Sequence, residues 1–502
     1  DAFLAKHLAE TASDDHCGIA PIGAGQTMVL DYGGPNVAKA MHVGHLRSSI
    51  IGDTLRRIGA FAGYKTLGDI HVGDWGTQMG QIISELEIRH PDWVYFDPNF
   101  SGTYPAESPV TMEDLEEIYP SASKACKEDP ARADRARAAT VELQNKRAGY
   151  YVLWRHFVTV SIASVKRNFE KLDVHFDLWY GESDAHPYIA PMFENLKKDG
   201  YAVESEGALV VPVARNDDQK EFPPLILYKS DGAVMYGTTD LATIVQRMKD
   251  FSPAKIVYVV DQRQGLHFEQ VFRAARLGGI APESTELTHA GFGTMNGTDG
   301  KPFKTRVGGV MKLEDLIAMG LEKARARLAE AEFAKDFSDA EKEDIAHKVA
   351  IAALKFADLQ NQRQSDYIFD IDRMTAFEGK TGPYLLYQAV RIKSLLWKAG
   401  VEDRGLDVRG LDVSSDGDRA LALLLAELPE AFAASLNNYA PHHLCEYAHK
   451  LAQQFSSFYN SCHILSETDA ALKQSRLALC AMTLRQLETV LGLLGISIPE
   501  RM

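Results

Sequence analysis

His42 and His45 stand three residues apart around Val43-Gly44, just after a loop that carries Asn36 and Lys39. Imidazoles can donate hydrogen bonds as neutral or charged groups, and a lysine adds a cation. Gly44 removes a side chain where a ligand could lie close to the backbone. These are the parts of a phosphate site. The loop begins with Gly33-Gly34-Pro35, directly after the apolar run Met28-Val29-Leu30, so a short buried strand ends there. Beyond Val43, apolar residues recur at Leu46, Ile50, Leu55, Ile58 and Phe61, close to helical spacing. Strand, glycine loop and helix start would aim free backbone N–H groups and the positive end of the helix dipole at an anion, with both histidines in the first turn. Taken alone, His-Val-Gly-His reads better as an ordinary helix start with two solvated histidines. Asn36 and Lys39 nearby, and a distant second loop rich in glycine and lysine around Lys301 and Lys304, move the reading toward phosphate chemistry.

Several elements must position these groups. Residues 64–72 read as a second strand, and Gly73-Asp74-Trp75-Gly76 as a polar loop opening another helix. Alternating strands and helices indicate a parallel sheet, whose ligands bind beyond the carboxyl ends of the strands. From Pro91 to about Leu178 the pattern changes to helical composition and reads as an insertion, its aromatics between Tyr150 and Leu172 serving as core. The sheet is expected to resume at 208–213, 225–227 and 233–236, and at 256–260 before Asp261 to Gly265. Beyond Leu313 the chain reads as helices, with Asp403 to Asp418 as an exposed loop and Asp1 to Ile19 as the tail of an upstream unit.

Composition sets outer limits. A chain of 502 residues implies two or three domains. Hydrophobic content of 45% with 25% charged residues is that of a globular protein. No apolar run approaches the length of a membrane span; the longest, near Leu421 to Leu425, fits a buried helix. The net charge of -15 argues against a generally basic surface and leaves nucleic acid to local patches. Five scattered cysteines without C-x-x-C suggest reduced thiols in the cytoplasm, and no metal site is expected. His442-His443 with Cys445 reads better as a polar helix start than as metal ligands.

His42-Val43-Gly44-His45 resembles the HIGH signature of class I aminoacyl-tRNA synthetases. The run from Pro35 to Lys39, continued from Met41 to Ser48, resembles the arginyl-tRNA synthetase family in particular, and the resemblance covers almost the whole chain. It implies an α/β fold: a Rossmann-type parallel-sheet catalytic domain over 21–375 with a helical insertion around 91–178. An all-α helical-bundle anticodon-binding domain over 376–502 would follow, with 1–20 as the remnant of an N-terminal tRNA-contacting module. It also implies L-arginine, ATP with Mg2+ and tRNA(Arg) as substrates, with no tightly bound cofactor. A monomer that makes no membrane contact is expected.

On the same resemblance, His42, Gly44, His45 and Lys39 serve ATP and the transition state. His45, Glu182, Tyr236, Asp240 and Gln264 belong to the arginine pocket. Asp31 at a strand end is a sensible ammonium partner, and Asn36 could bond the α-amino or carboxyl group. The mobile KMSKS loop of most class I enzymes is altered here to the stretch Gly300 to Gly309, and which of Lys301 and Lys304 reaches phosphate stays open, with Lys39 able to share the task. The segment Gly379 to Tyr387 resembles the opening of the anticodon-binding domain. Its Tyr384 and Tyr387 could stack on tRNA bases or pack between helices, and Met502 would approach the anticodon loop. Without the resemblance, Glu182 is a surface acid, Asp240 a helix cap, and Lys301 and Lys304 are solvated. Two rivals are another HIGH-motif nucleotidyltransferase and a non-catalytic tRNA-binding relative. The long helical C-terminal half counts against the first, and intact His42, His45, Lys39 and Asp240 against the second.

Overall fold

Short aliphatic runs make the strands, and polar or glycine residues end them. The computed structural model describes every residue except 13, 229–234, 302, 304–310, 331–335, 402–407 and 409. Among the described residues there are nine strands: β1 (Thr27–Asp31), β2 (Lys65–Asp69), β3 (Val203–Ser205), β4 (Ala208–Val211), β5 (Leu225–Tyr228), β6 (Lys255–Tyr258), β7 (Glu286–His289), β8 (Met295–Asn296) and β9 (Tyr367–Ile368). The main sheet has the order β2-β1-β6-β7, and β6 runs parallel to β7. The helix Gly44–Phe61 follows β1 and leads to β2.

The expected strand over 64–72 stops at Asp69, and His71 adopts a left-handed φ of 42° that turns the chain. The sheet nonetheless gains an outer segment. Bridges join Asp69 to Leu178 and Val72 to Gly181. The Val72 N–H bonds Tyr180 O at 2.7 Å, and the Glu182 N–H bonds Val72 O at 3.0 Å. This places Glu182 at the carboxyl edge of the sheet, where Asp31 and Asp69 also end their strands.

The runs at 208–213 and 225–227 do not continue the parallel sheet. They form a separate antiparallel sheet in the order β3-β4-β5. Glu206 and Gly207, with φ of 49° and 78°, close the β3–β4 hairpin. A two-residue turn of that hand suits an antiparallel pair, whereas a parallel pair needs a long crossover. The strand expected near Ala233 lies outside the described residues. The helix Tyr236–Phe251 already begins at Tyr236, so Asp240 sits within it and is not its cap; Met235 holds that place.

The chain divides into two compact units, 29–48 with 67–289, and 1–28 with 49–66 and 290–502. They interleave along the sequence and are cut at places other than the expected boundary near 375. In the first unit, Val29, Leu227, Ile256, Tyr258, Val271 and Ala274 share one buried cluster. The insertion consists of the helices Met112–Glu128, Pro130–Gln144 and Ala148–Lys171. Tyr150, Leu153, Trp154, Phe157 and Phe169 of the last are buried, so these aromatics are core as expected.

The second unit is helical apart from the β8–β9 pair and the first residues of β1 and β2. Its first helix, Ala2–Ala12, is tied to later helices. Arg485 bonds Asp14 O at 2.8 Å and Asp15 Oδ1 at 3.0 Å, and Arg419 Nε bonds Asp1 at 2.9 Å. Asp418, expected in an exposed loop, is buried against Arg476 at 3.3 Å. Tyr384 and Tyr387, read as either stacking on bases or packing between helices, are half-buried, and Tyr384 meets the His449 ring edge-on at 5.8 Å. Contrary to expectation, one described stretch, Asp416–Asn437, is long and apolar enough to cross a membrane. It is divided here into the helices Asp416–Leu425 and Leu428–Asn437.

Helix Thr77–Arg89, just after the Asp74 loop, crosses Pro130–Gln144 at Gly80. A Cβ there would collide with Thr140 Oγ1 and Ala136 O and lie 2.8 Å from Thr140 N. Backbone cannot swing aside as a side chain can, so Gly80→Ala should cost about 1–3 kcal/mol by overpacking. Thermal unfolding checks this: a lowered Tm is expected, and an unchanged one would contradict the close crossing.

Candidate active site

The start of the helix Gly44–Phe61 is organised by two imidazoles. His42 lies before the first helical residue, so only His45 is in the first turn. The backbone N–H of His42 donates to His45 Nδ1 at 3.0 Å, and that of Gly44 donates to His42 Nδ1 at 3.0 Å. The N–H groups of His45 and Leu46 bond His42 O and Val43 O. The free amides expected here are therefore largely taken. Because a backbone N–H can only donate, both Nδ1 atoms accept, which leaves the proton on each Nε2. That outweighs the 3.3 Å approach of His45 Nδ1 to His42 O. The rings lie 4.1 Å apart.

Both imidazoles are neutral donors. Burial, followed by repulsion from His42, pushes His45 down to about 3. Burial and then Lys39 lower His42. Lys39 itself is exposed. A Cβ on Gly44 would stand 2.7 Å from His42 Cε1, so the glycine makes room for the ring of His42, not for a ligand. Asn36 is pinned by the neighbouring loop. It bridges Gly73, the Gly73 N–H bonds Pro35 O at 3.1 Å, and the Val37 N–H bonds Gly73 O at 3.0 Å.

Along the same sheet edge lies a group of acids. Asp74 accepts from the Ser183 N–H at 2.9 Å and the Ser183 hydroxyl at 2.6 Å. Gly181 admits this carboxylate, which a Cβ would meet at 2.7 Å. Burial pushes Asp74 up to about 6, against the two Ser183 bonds. The latch fixes the start of the helix Glu182–Lys198 and thereby Glu182. Burial, then repulsion by Asp240, pushes the Glu182 carboxyl up to about 7, while a bond from the Trp75 backbone pulls it down. Among the described residues no cation pairs with Glu182. Asp240 Oδ2 accepts from His267 Nε2 at 2.5 Å.

Asp31 is placed differently from expectation. The buried guanidinium of Arg247 bonds Asp31 Oδ2 and Asp69 Oδ2, both at 2.6 Å. Asp31, Asp69 and His71 converge closely enough to suggest a metal site, but Arg247 already supplies the cation between the two carboxylates. Burial works against that charge, yet Asp31 and then Asp69 hold its pKa well above the ordinary value.

The first unit brings Asn36, Lys39, His42, Gly44, His45, Glu182, Asp240, Tyr236 and Gln264 into one fold. Tyr236 is 76% exposed and Gln264 is exposed as well. Lys301, exposed in a turn closed by Gly297 N–H on Lys301 O at 2.7 Å, belongs to the other unit, and Lys304 lies outside the described residues. Met502 is half-buried. Sequence reasoning missed Asp74 with Ser183, His267 and Arg247. Arg247 stands seven residues after Asp240 on one helix face, and Asp74 lies in the loop already singled out, but nothing in the sequence paired either with its partner.

Two family models match. Residues 11–371 match tRNA synthetases class I (R), catalytic domain, and residues 385–502 match the DALR anticodon binding domain. The chain is 52% identical to the arginine–tRNA ligase of Maricaulis maris over 503 residues, 99% of this chain and 85% of that one. It is 49% identical to that of Agathobacter rectalis, covering 100% and 85%. The crystal structure of the Plasmodium falciparum arginyl-tRNA synthetase superposes with a TM-score of 0.84 at 27% identity, covering 100% of this chain and 83% of that one.

The imidazole arrangement has a spectroscopic consequence. Nitrogen-detected NMR should show His45 as the neutral Nε2–H form from pH 8 to pH 5, because its pKa is pushed down to about 3. A titration near the ordinary histidine value of about 6.5 would contradict the hydrogen bonding at this helix start.

Proposed function

Because the chain belongs to the class I tRNA synthetases of the arginine type, we propose that its partly buried acid pair, Glu182 and Asp240, is what recognises the amino acid. The enzyme is an arginine–tRNA ligase: it activates L-arginine with ATP and transfers the arginyl group to tRNA. The observation that carries the pocket assignment is a Glu182 carboxyl held at about 7 by burial and by Asp240, with no cation beside it among the described residues. A guanidinium supplies the missing charge and offers donors in a planar fork that suits carboxylates. Tyr236 and Gln264, both exposed, are proposed to join the pocket, and Asn36, exposed as well, is proposed for the α-amino or carboxyl group. Asp31, held by Arg247, contributes field to the ammonium end through the oxygen that Arg247 leaves.

In the first step a carboxylate oxygen of arginine attacks the α-phosphorus of ATP, the bond to the bridging oxygen breaks, and pyrophosphate leaves. In the second, a ribose hydroxyl at the tRNA 3′ end attacks the carbonyl carbon and AMP leaves. Mg2+ enters with ATP as part of that substrate, spreading the triphosphate charge. Neutral Nε2–H donors of His42 and His45 serve the phosphate as charge moves onto the leaving group. Preorganised donors of this sort are worth about 10²–10³ in rate each. Lys39 adds a cation beside His42, and Lys301 and Lys304 are proposed for the pyrophosphate. Residues 385–502 are proposed to hold the tRNA, with Met502 at the anticodon loop and the half-buried Tyr384 and Tyr387 supporting that surface from within. A monomer in the cytoplasm is proposed, the five free cysteines suiting that compartment.

Proton linkage tests the pocket. An entering guanidinium favours the ionised Glu182, so binding must expel its proton below pH 7. Arginine affinity should fall as pH drops through 7, by up to about tenfold per unit, with proton release seen by calorimetry in buffers of different ionisation enthalpy. Glu182→Gln should flatten that slope, and a wild-type affinity independent of pH between 6 and 8 would contradict the assignment. Asp240→Asn keeps the shape and removes one charge. It should cost roughly 30- to 1,000-fold in kcat/KM for arginine, equal to about 2–4 kcal/mol, with little change in ATP KM.

A further inference from the structure

Asp240 is a helical residue with a carboxylate that can rotate, since the last torsion of an aspartate is broad and shallow. Next to it stands Glu182, whose charge would drive it away. One side chain opposes that motion. His267, the third residue of the helix Gly265–Leu277, places Nε2 2.5 Å from Asp240 Oδ2. A carboxylate can only accept, so the imidazole donates. The ring is confined in turn. It packs edge-on against Phe268, and a Cβ on Gly237, one turn before Asp240, would reach its Cε1 at 3.6 Å. Both partners are partly buried, with 28% and 26% of their side chains exposed, so this bond is less open to competition from water than one on the surface.

We propose that His267 is a positioning residue for amino-acid specificity: it holds Oδ2 of Asp240, leaves Oδ1 for the guanidinium, and fixes Asp240 at its distance from Glu182. The inference rests on the guanidinium pocket described above and goes beyond it in naming what keeps that pocket in register. Both partners belong to the protein itself, so the bond orients the carboxylate without needing a ligand. A fork of donors gains its full strength only against an oxygen in a fixed place. Losing the anchor should therefore weaken arginine binding without disturbing the nucleotide, which lies with His42 and His45.

The test is steady-state ATP–pyrophosphate exchange in the full chain with tRNA present, comparing His267→Leu, His267→Gln and Asp240→Asn. Leucine fills the space but donates nothing, whereas glutamine offers an N–H. His267→Leu should raise arginine KM roughly 10- to 100-fold, the size of a hydrogen bond to a charged group, and leave ATP KM within about threefold. His267→Gln should recover most of the loss. If the leucine variant does not fold, His267→Ala with and without added imidazole reads the same contact, and rescue of arginine KM by imidazole is expected. An unchanged arginine KM in a folded leucine variant would overturn the proposal. So would parallel rises in both KM values, or a glutamine variant as impaired as leucine. Should Asp240→Asn also leave arginine KM untouched, the pocket itself is misassigned; if only the His267 variants are silent, the pocket stands and the positioning role does not.

Discussion

Two carboxylates brought near one another at a half-buried sheet edge, one of them with no cation beside it among the described residues, are an unfavourable arrangement that the fold must enforce. Glu182 bears the effect, its carboxyl pushed to about 7 by burial and Asp240. Enforcement comes from the sheet edge. The segment 178–182 bridges β2 and its extension, and the Ser183–Asp74 latch fixes the helix that begins at Glu182. Asp240 comes from another helix, Tyr236–Phe251, and is tethered by His267. Each tether is a hydrogen bond to a charged group, among the stronger contacts available. A ligand cation relieves the repulsion they maintain, so the acid pair favours a cationic side chain.

The same edge handles charge in a second way. Asp31 and Asp69 end adjacent strands, where two carboxylates would repel, and Arg247 neutralises both from within. Breaking such a buried pair by removing the cation would leave uncompensated charge in the core. Here the chain satisfies its own acids, whereas at Glu182 no cation does so among the described residues, and that contrast separates a structural ion triad from the proposed ligand pocket. The histidines follow a third rule. By accepting backbone N–H groups on Nδ1, they cap the helix start and keep the proton on Nε2.

Much of this was legible in the sequence where the signal is local. The run from Met28 to Phe61 carries its strand, glycine loop and helix in adjacent residues, and the structure follows it closely. The family resemblance extended the reading to the arginine type, which the matching family models bear out. Other features depend on partners far away in the chain. Glu182 looks like a surface acid until 178–182 joins β2, and nothing near it announces Asp74 or His267. The runs at 208–211 and 225–228 have the same composition as parallel strands, and only the Glu206-Gly207 turn tells them apart. Asp31 at a strand end was read as free because Arg247 lies more than two hundred residues later. The resemblance at Gly379 to Tyr387 placed the stretch in the helical domain but did not say which way its rings faced.

The central claim is that a guanidinium, and not merely a positive charge, completes the acid pair. Lysine carries the same charge as arginine in a compact ammonium with a different reach, and a site built for several directed hydrogen bonds rejects such an analogue strongly. The most direct measurement is kcat/KM for ATP–pyrophosphate exchange with arginine and with lysine, each with tRNA present. The account predicts a preference for arginine of about 10⁴-fold or more, in the range of hydrogen-bonding sites that need no editing. Exchange with lysine within about tenfold of arginine would show that charge alone fills the pocket and would contradict it.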